Sequence, residues 1–155
     1  MNNYNQGNRT QNFRNSNVKK FTFDPTEDVV ASAEKLITEI GKPPRRSFFD
    51  EQKDFDFTTS QIRKLLSAVN TLQNRIQAIK GDTLDHEATN EIKYLKVKIA
   101  YMVGRERRKL SDLIKKGQFI ERIDAIGNDK SKFLQFSRFM ESIVAYHKFY
   151  GGKDS

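Results

Sequence analysis

Residues 92–109 read IKYLKVKIAYMVGRERRK, and their spacing decides the fold class. Wound at about 100° per residue, Ile92, Leu95, Ile99, Met102 and Val103 gather on one side. Tyr94, Lys98, Tyr101, Arg105 and Arg108 gather on the other, within an arc of about 80°. A helix separates the two sets; a period of two would mix them on both faces. A strip of smaller residues, Val97, Ala100 and Gly104, runs between. Glycine inside a helix costs about 1 kcal/mol relative to alanine. Close approach of another backbone, from a neighbouring helix or a ligand, is one reason to keep it.

Outward from this stretch the helical period repeats. The acidic DTLDHEATNE at 82–91 precedes it, and negative charge favours a helix N-terminus, so the helix is expected from about Asp85 to Lys109. Upstream, TTSQIRKLLSAVNTLQNRIQAIKG at 58–81 places Ile62, Leu65, Leu66, Val69, Leu72, Ile76 and Ile79 on one stripe. Thr58 or Thr59 caps it, and Gly81 closes it. DPTEDVVASAEKLITEIG at 24–41 offers Asp24 as N-cap, Pro25 at the first helical position and Glu27 at capping-box spacing. Its stripe is Val30, Ala33, Ile37 and Ile40, with Gly41 as a left-handed terminator. KPPRRSFFDEQKDFDF at 42–57 breaks regular structure, and its phenylalanines suit a loop that packs down. Downstream, LSDLIKKGQFIERIDAIGN is helical in pattern. DKSKFLQFSRFMESIVAYHKFYGGK puts Phe133, Phe136, Met140, Ile143, Val144, His147 and Tyr150 on one stripe, ended by Gly151-Gly152.

The expected fold is all-α, a compact bundle of about five helices. Residues 1–22 are rich in Asn and Gln and poor in aliphatics, which predicts a disordered tail. Residues 23–155 form a single helical-bundle domain in this reading. There is no cysteine among the 155 residues, so no disulfide framework or zinc–thiolate site is expected. No apolar run approaches the roughly 18–20 residues that cross a bilayer. The N-terminus lacks the apolar middle of a signal peptide. The expectation is a cytoplasmic protein with no membrane partner.

Charge points to the partner. The net charge is +8, and it is unevenly spread. Residues 82–92 carry four acids and no base, whereas residues 93–116 carry nine bases against two acids. A basic block within folded sequence favours a polyanion, because phosphate binding is driven by Lys and Arg with release of counterions. Arginine presents a planar fork to phosphate oxygens, and lysine a point charge. Tyrosine supplies a ring on which an unpaired base or ribose rests. Bases interleaved with rings on a rigid helix describe a surface that tracks a nucleic-acid backbone without reading sequence. The plainer alternative has the tyrosines packed on a neighbouring helix and the charges solvated. On the 58–80 helix, Arg63, Ser67, Asn70 and Asn74 share an edge, with Lys64 farther round. These groups suit phosphate or hydroxyl contacts, or simply a polar surface.

Catalytic patterns are missing. Of the two histidines, His147 borders an apolar stripe and reads as a partly buried residue donating a hydrogen bond, and His86 sits at a helix start. No His or carboxylate pattern has metal-ligand spacing. Asp50, Glu51, Asp54 and Asp56 read as a solvated loop cluster. No phosphate-cradling glycine loop appears. No catalytic residue, metal site or cofactor is expected.

Three segments, TTSQIRKLL at 58–66, LKVKIAYMVGR at 95–105 and FMESIVAYHKFYGG at 139–152, together resemble the small helical subunit of type III-A CRISPR–Cas (Csm) effector complexes. The resemblance covers residues 57–153. It implies a non-catalytic, all-α protein of antiviral defence, present in several copies. The copies stack beside the backbone subunits and contact the CRISPR RNA and target RNA through basic helix faces. Nuclease chemistry belongs to other subunits. Carried over, the RNA-binding positions are Arg63 and Lys64 in QIRK, and Lys96, Lys98, Tyr101 and Arg105 in LKVKIAYMVGR. Helix geometry adds Arg108. One departure is Val97, where many relatives are expected to have proline. The Val97–Ala100–Gly104 strip and the aromatic C-terminal helix are candidates for contacts with neighbouring subunits or for packing within the chain. The competing function is a sequence-specific DNA-binding regulator with the basic helix in the major groove, which needs a neighbouring helix crossed roughly perpendicular through a short turn.

Overall fold

The computed structural model describes residues 21–44 and 52–155. Residues 1–20, with most of the expected tail, and residues 45–51, with Phe48, Phe49, Asp50 and Glu51, lie outside it. Among the described residues six helices follow in order: α1 (Val29–Ile40), α2 (Thr59–Gln77), α3 (His86–Arg105), α4 (Ser111–Lys116), α5 (Phe119–Ile126) and α6 (Lys130–Phe149). The described residues contain no strand beyond two isolated bridges, Lys42 with Asp54 and Thr83 with Asp129. The fold is all-α. The count exceeds five because the 110–128 segment breaks at Gly117-Gln118, where Gln118 takes φ 51°.

Short polar side chains start the long helices by accepting from amides that have no intrahelical partner. Thr58 and Gln61 form a reciprocal capping box on α2. Asp85 accepts from Ala88 N at 2.7 Å, and Asp129 from Ser131 N at 2.9 Å. The start of α1 differs from expectation. Its cap is Asp28, not Asp24, whose carboxylate instead takes the amide and hydroxyl of Thr26 in a preceding turn. The later start brings Val29 into the core and leaves Val30 exposed. Gly41 is extended rather than left-handed, because the chain turns directly into the Lys42–Asp54 bridge.

The centre is α6, which packs against α1, α2 and α5. That explains why Phe133, Phe136, Phe139, Met140 and Ile143 are all buried, wider than one stripe. α3 lays Ile92, Leu95, Ile99 and Met102 toward α2 and α5. Arg122 on α5 locks α1 to this core. It forks onto Glu27 at 2.8 and 3.1 Å, donates to Gly117 O at 3.1 Å, and lies 4.0 Å over the Phe139 ring. Burial pushes the Glu27 carboxyl up, but the hydrogen bonds and charge of Arg122 outweigh it and hold the group below its usual value.

His147 is fully buried and joins α6 to the α2 start. Its Nε2 faces Phe57 O at 3.2 Å and its Nδ1 faces the Thr59 hydroxyl at 3.1 Å. A carbonyl can only accept, so the neutral ring carries its proton on Nε2, and Thr59 donates to Nδ1. Phe57 stacks on the ring at 4.8 Å. Gly152 lies close against the ring; a Cβ there would sit 2.2 Å from the imidazole. The chain then passes the first turn of α2, where Lys153 O accepts from Thr59 N at 2.8 Å and Asp154 O from Ser60 N at 3.2 Å. Among the described residues no helix is long and apolar enough to cross a membrane.

Candidate nucleic-acid interface

α2 and α3 form an antiparallel hairpin. Gln61, near the start of α2, donates to Glu106 just past the end of α3, and Arg75 near the end of α2 pairs with Glu87 and Glu91 near the start of α3. Their inner sides meet the core. A groove of about 410 Å³ lies between residues of both helices on the outer side. Leu65, Ala68 and Met102 lie along it, Tyr94, Val97 and Tyr101 form its α3 wall, and Lys64, Lys98 and Arg105 stand around it. A second depression of about 510 Å³ shares Lys64, Tyr94 and Lys98 and continues past Ser67 and Thr71.

This face is unusually apolar for an exposed one. Tyr101 is 69% exposed, Tyr94 57% and Val97 54%, three of the five large apolar side chains exposed among the described residues. The tyrosines therefore stand open at the groove instead of being sealed against a neighbouring helix among the described residues. No other part of the described chain comes within 4 Å of a Cβ built on Gly104. The small-residue strip thus faces outward.

The electrostatics favour an incoming anion. Glu106 is the acid nearest Arg105 in the groove lining, and it is occupied by Gln61 and, at 4.0 Å, by Lys64. Glu91 is occupied by Arg75. Lys98 sits 5.8 Å over the Tyr94 ring, and neither Lys98 nor Arg105 has an ion-pair partner among the described residues. Two cations thus stand beside two open rings, with the neighbouring carboxylates already engaged.

The structure brings Lys64, Lys98, Tyr101 and Arg105 to one groove. Arg63 is exposed on α2 but outside the groove lining. Lys96 points the other way, to a 2.5 Å ion pair with Asp124 of α5. Arg108 is exposed, but not on the helix that placed it in the arc. α3 stops at Arg105, four residues before the expected end. Arg107 takes φ 50°, and Arg108 N reaches back to Val103 O at 3.0 Å, a Schellman closure with arginine where glycine is usual. The reversal delivers Leu110, fully buried, to the core. On α2, Asn70 is half-buried with its Oδ1 unpartnered, so the expected polar edge is not uniformly open. The apolar floor is not legible in the sequence, because Leu65 and Met102 belong to the core stripes and show their groove edges only once α2 and α3 are paired.

The family described as Csm2 Type III-A matches residues 26–153, a span that contains all six helices. The chain belongs to that family. The match reaches beyond the 57–153 resemblance and takes in α1. Among the relatives, a Streptococcus thermophilus protein named CRISPR system Cms protein Csm2 is 41% identical over 128 residues, covering 83% of this chain and 95% of its own. A Mycobacterium tuberculosis protein of the same name is 31% identical over 104 residues, covering 67% of this chain and 83% of its own. One from Enterococcus italicus is 36% identical over 95 residues, covering 60% and 67%. The Csm2 family is the one the three motifs pointed to, and the α2–α3 face contains two of those motifs.

Proposed function

We propose that the chain is a non-catalytic small subunit of the type III-A CRISPR (Csm) interference ribonucleoprotein. It acts in the cytoplasm in antiviral defence, in several copies that stack on one another beside the backbone subunits. It contacts the CRISPR RNA and target RNA through the α2–α3 face. Family membership supports the assembly. The observation that supports the RNA reading is the pair of cations without an ion-pair partner among the described residues, Lys98 and Arg105, alternating with the open rings of Tyr94 and Tyr101. Such a surface holds phosphates and rests rings on sugars or bases without reading sequence. Lys64 adds a third cation, Arg63 an outlying one, and Arg108 extends the charge past the helix end; Lys96 reaches RNA only by leaving Asp124. The DNA-regulator alternative needs crossed helices, whereas α2 and α3 lie antiparallel, so the RNA reading is preferred.

The test is binding of a panel of unrelated RNA sequences by the full chain and by a Lys98→Ala/Arg105→Ala variant. The variant is expected to weaken every sequence about equally. Parent-like binding by the variant, or a loss confined to one sequence, overturns the reading.

A further inference from the structure

Resting on that reading, we infer that the α2–α3 groove takes an unpaired nucleobase, with the phosphates on either side held by the surrounding cations. A surface that only tracks phosphates has no use for an apolar floor. Here Leu65, Ala68 and Met102 line a groove of about 410 Å³, inside the roughly 300–1,000 Å³ range of small-ligand clefts. Along α3 the groove side alternates ring, cation, ring, cation at Tyr94, Lys98, Tyr101 and Arg105, in steps of four, three and four residues. A strand laid along that row meets a stacking surface and then a phosphate partner, twice. Base–aromatic stacking tolerates any base, because every base has a π-face.

The pattern also selects the state of the nucleic acid. In a continuous A-form duplex the base faces are stacked away and only edges and backbone are offered. A base that lies against Tyr94 or Tyr101 must come from a single strand, a bulge or a nucleotide turned out of its stack. A protein helix is the other conceivable occupant of an apolar groove. It would bury Lys98 and Arg105 without a counter-charge unless it were acidic, whereas a nucleotide brings its own phosphates to both.

Three probes of equal length distinguish the outcomes with the full chain: a single-stranded RNA carrying one fluorescent purine analogue, an abasic ribose–phosphate chain, and a fully paired duplex. The analogue is expected to be quenched on binding. The abasic chain is expected to bind at least about five-fold more weakly than the intact strand, and about 160-fold for each base stacked at the upper end of its worth, with an unchanged salt slope. Tyr94→Ala/Tyr101→Ala removes two exposed rings without touching the core and should abolish that difference. Ala68→Leu, which fills the floor and leaves every charge in place, should do the same. Equal, salt-sensitive binding of intact and abasic chains overturns base insertion while leaving the phosphate-binding role standing. Absence of binding to any RNA removes the underlying role and this inference together. Tyrosine variants that bind RNA like the parent but no longer enter the complex with other Csm subunits overturn the inference in favour of a protein-docking groove.

Discussion

His147 shows how one side chain links the pattern of a helix to the ends of the chain. Its place on an apolar stripe is readable in the sequence, but the spacing suggests only partial burial, whereas the structure buries it completely. Its partners are not readable there, because Phe57 and Thr59 lie about ninety positions upstream. Burial pushes the His147 imidazole below the ordinary histidine value, with the Phe57 carbonyl working in the opposite direction. The unfolded chain therefore takes up a proton more readily than the folded one, near pH 6.5. Stability is fully present above that pH and falls as pH drops from about 6.5 toward the lower folded value. Comparing denaturation midpoints of the parent and His147→Phe between pH 7.5 and 5 isolates this contribution. The gap between the two proteins is expected to narrow as pH falls. A constant gap contradicts the assignment of a buried neutral imidazole. Arg122 is the opposite case. Nothing in its local sequence marks it, and its role depends on Glu27, Gly117 and Phe139 meeting in space.

At the scale of elements, periodicity placed the cores of α2, α3 and α6 correctly, because long amphipathic stretches carry their own signal. The ends were harder. Two aspartates four residues apart compete to cap α1, and the choice falls to Asp28 because Asp24 closes its own turn and Glu27 is held by Arg122. α3 ends early because Leu110 must be buried, a demand invisible in the basic run Arg105–Lys109. Gly104 tests what the outer face of α3 is for. It is helical and exposed, with nothing of the described residues outside its own helix backbone within 4 Å of its missing Cβ. Gly104→Ala should therefore stabilise the isolated protein by about 0.5–1 kcal/mol, read from denaturant midpoints. If a partner backbone approaches there, the same change should weaken complex assembly. Destabilisation of the isolated chain would show that the glycine serves internal packing instead.

For the whole molecule, fold class and the basic face were legible in the sequence, since both follow from residue spacing within single helices. The groove was not. It exists because α2 and α3 run antiparallel, meet over their inner sides, and tie Glu106 and Glu91 to partners on the opposite helix. That arrangement turns a basic helix into a surface with two cations that have no ion-pair partner among the described residues, and it also separates Lys96 from the set that the motif suggested.

The most direct test is the salt dependence of single-stranded RNA binding by the full chain and by Lys98→Ala/Arg105→Ala. Each lost phosphate contact lowers the slope of log affinity against log salt by about 0.7. The account predicts a slope shallower by about 1.4 in the double variant. An unchanged slope would mean that neither cation meets a phosphate, and would contradict it.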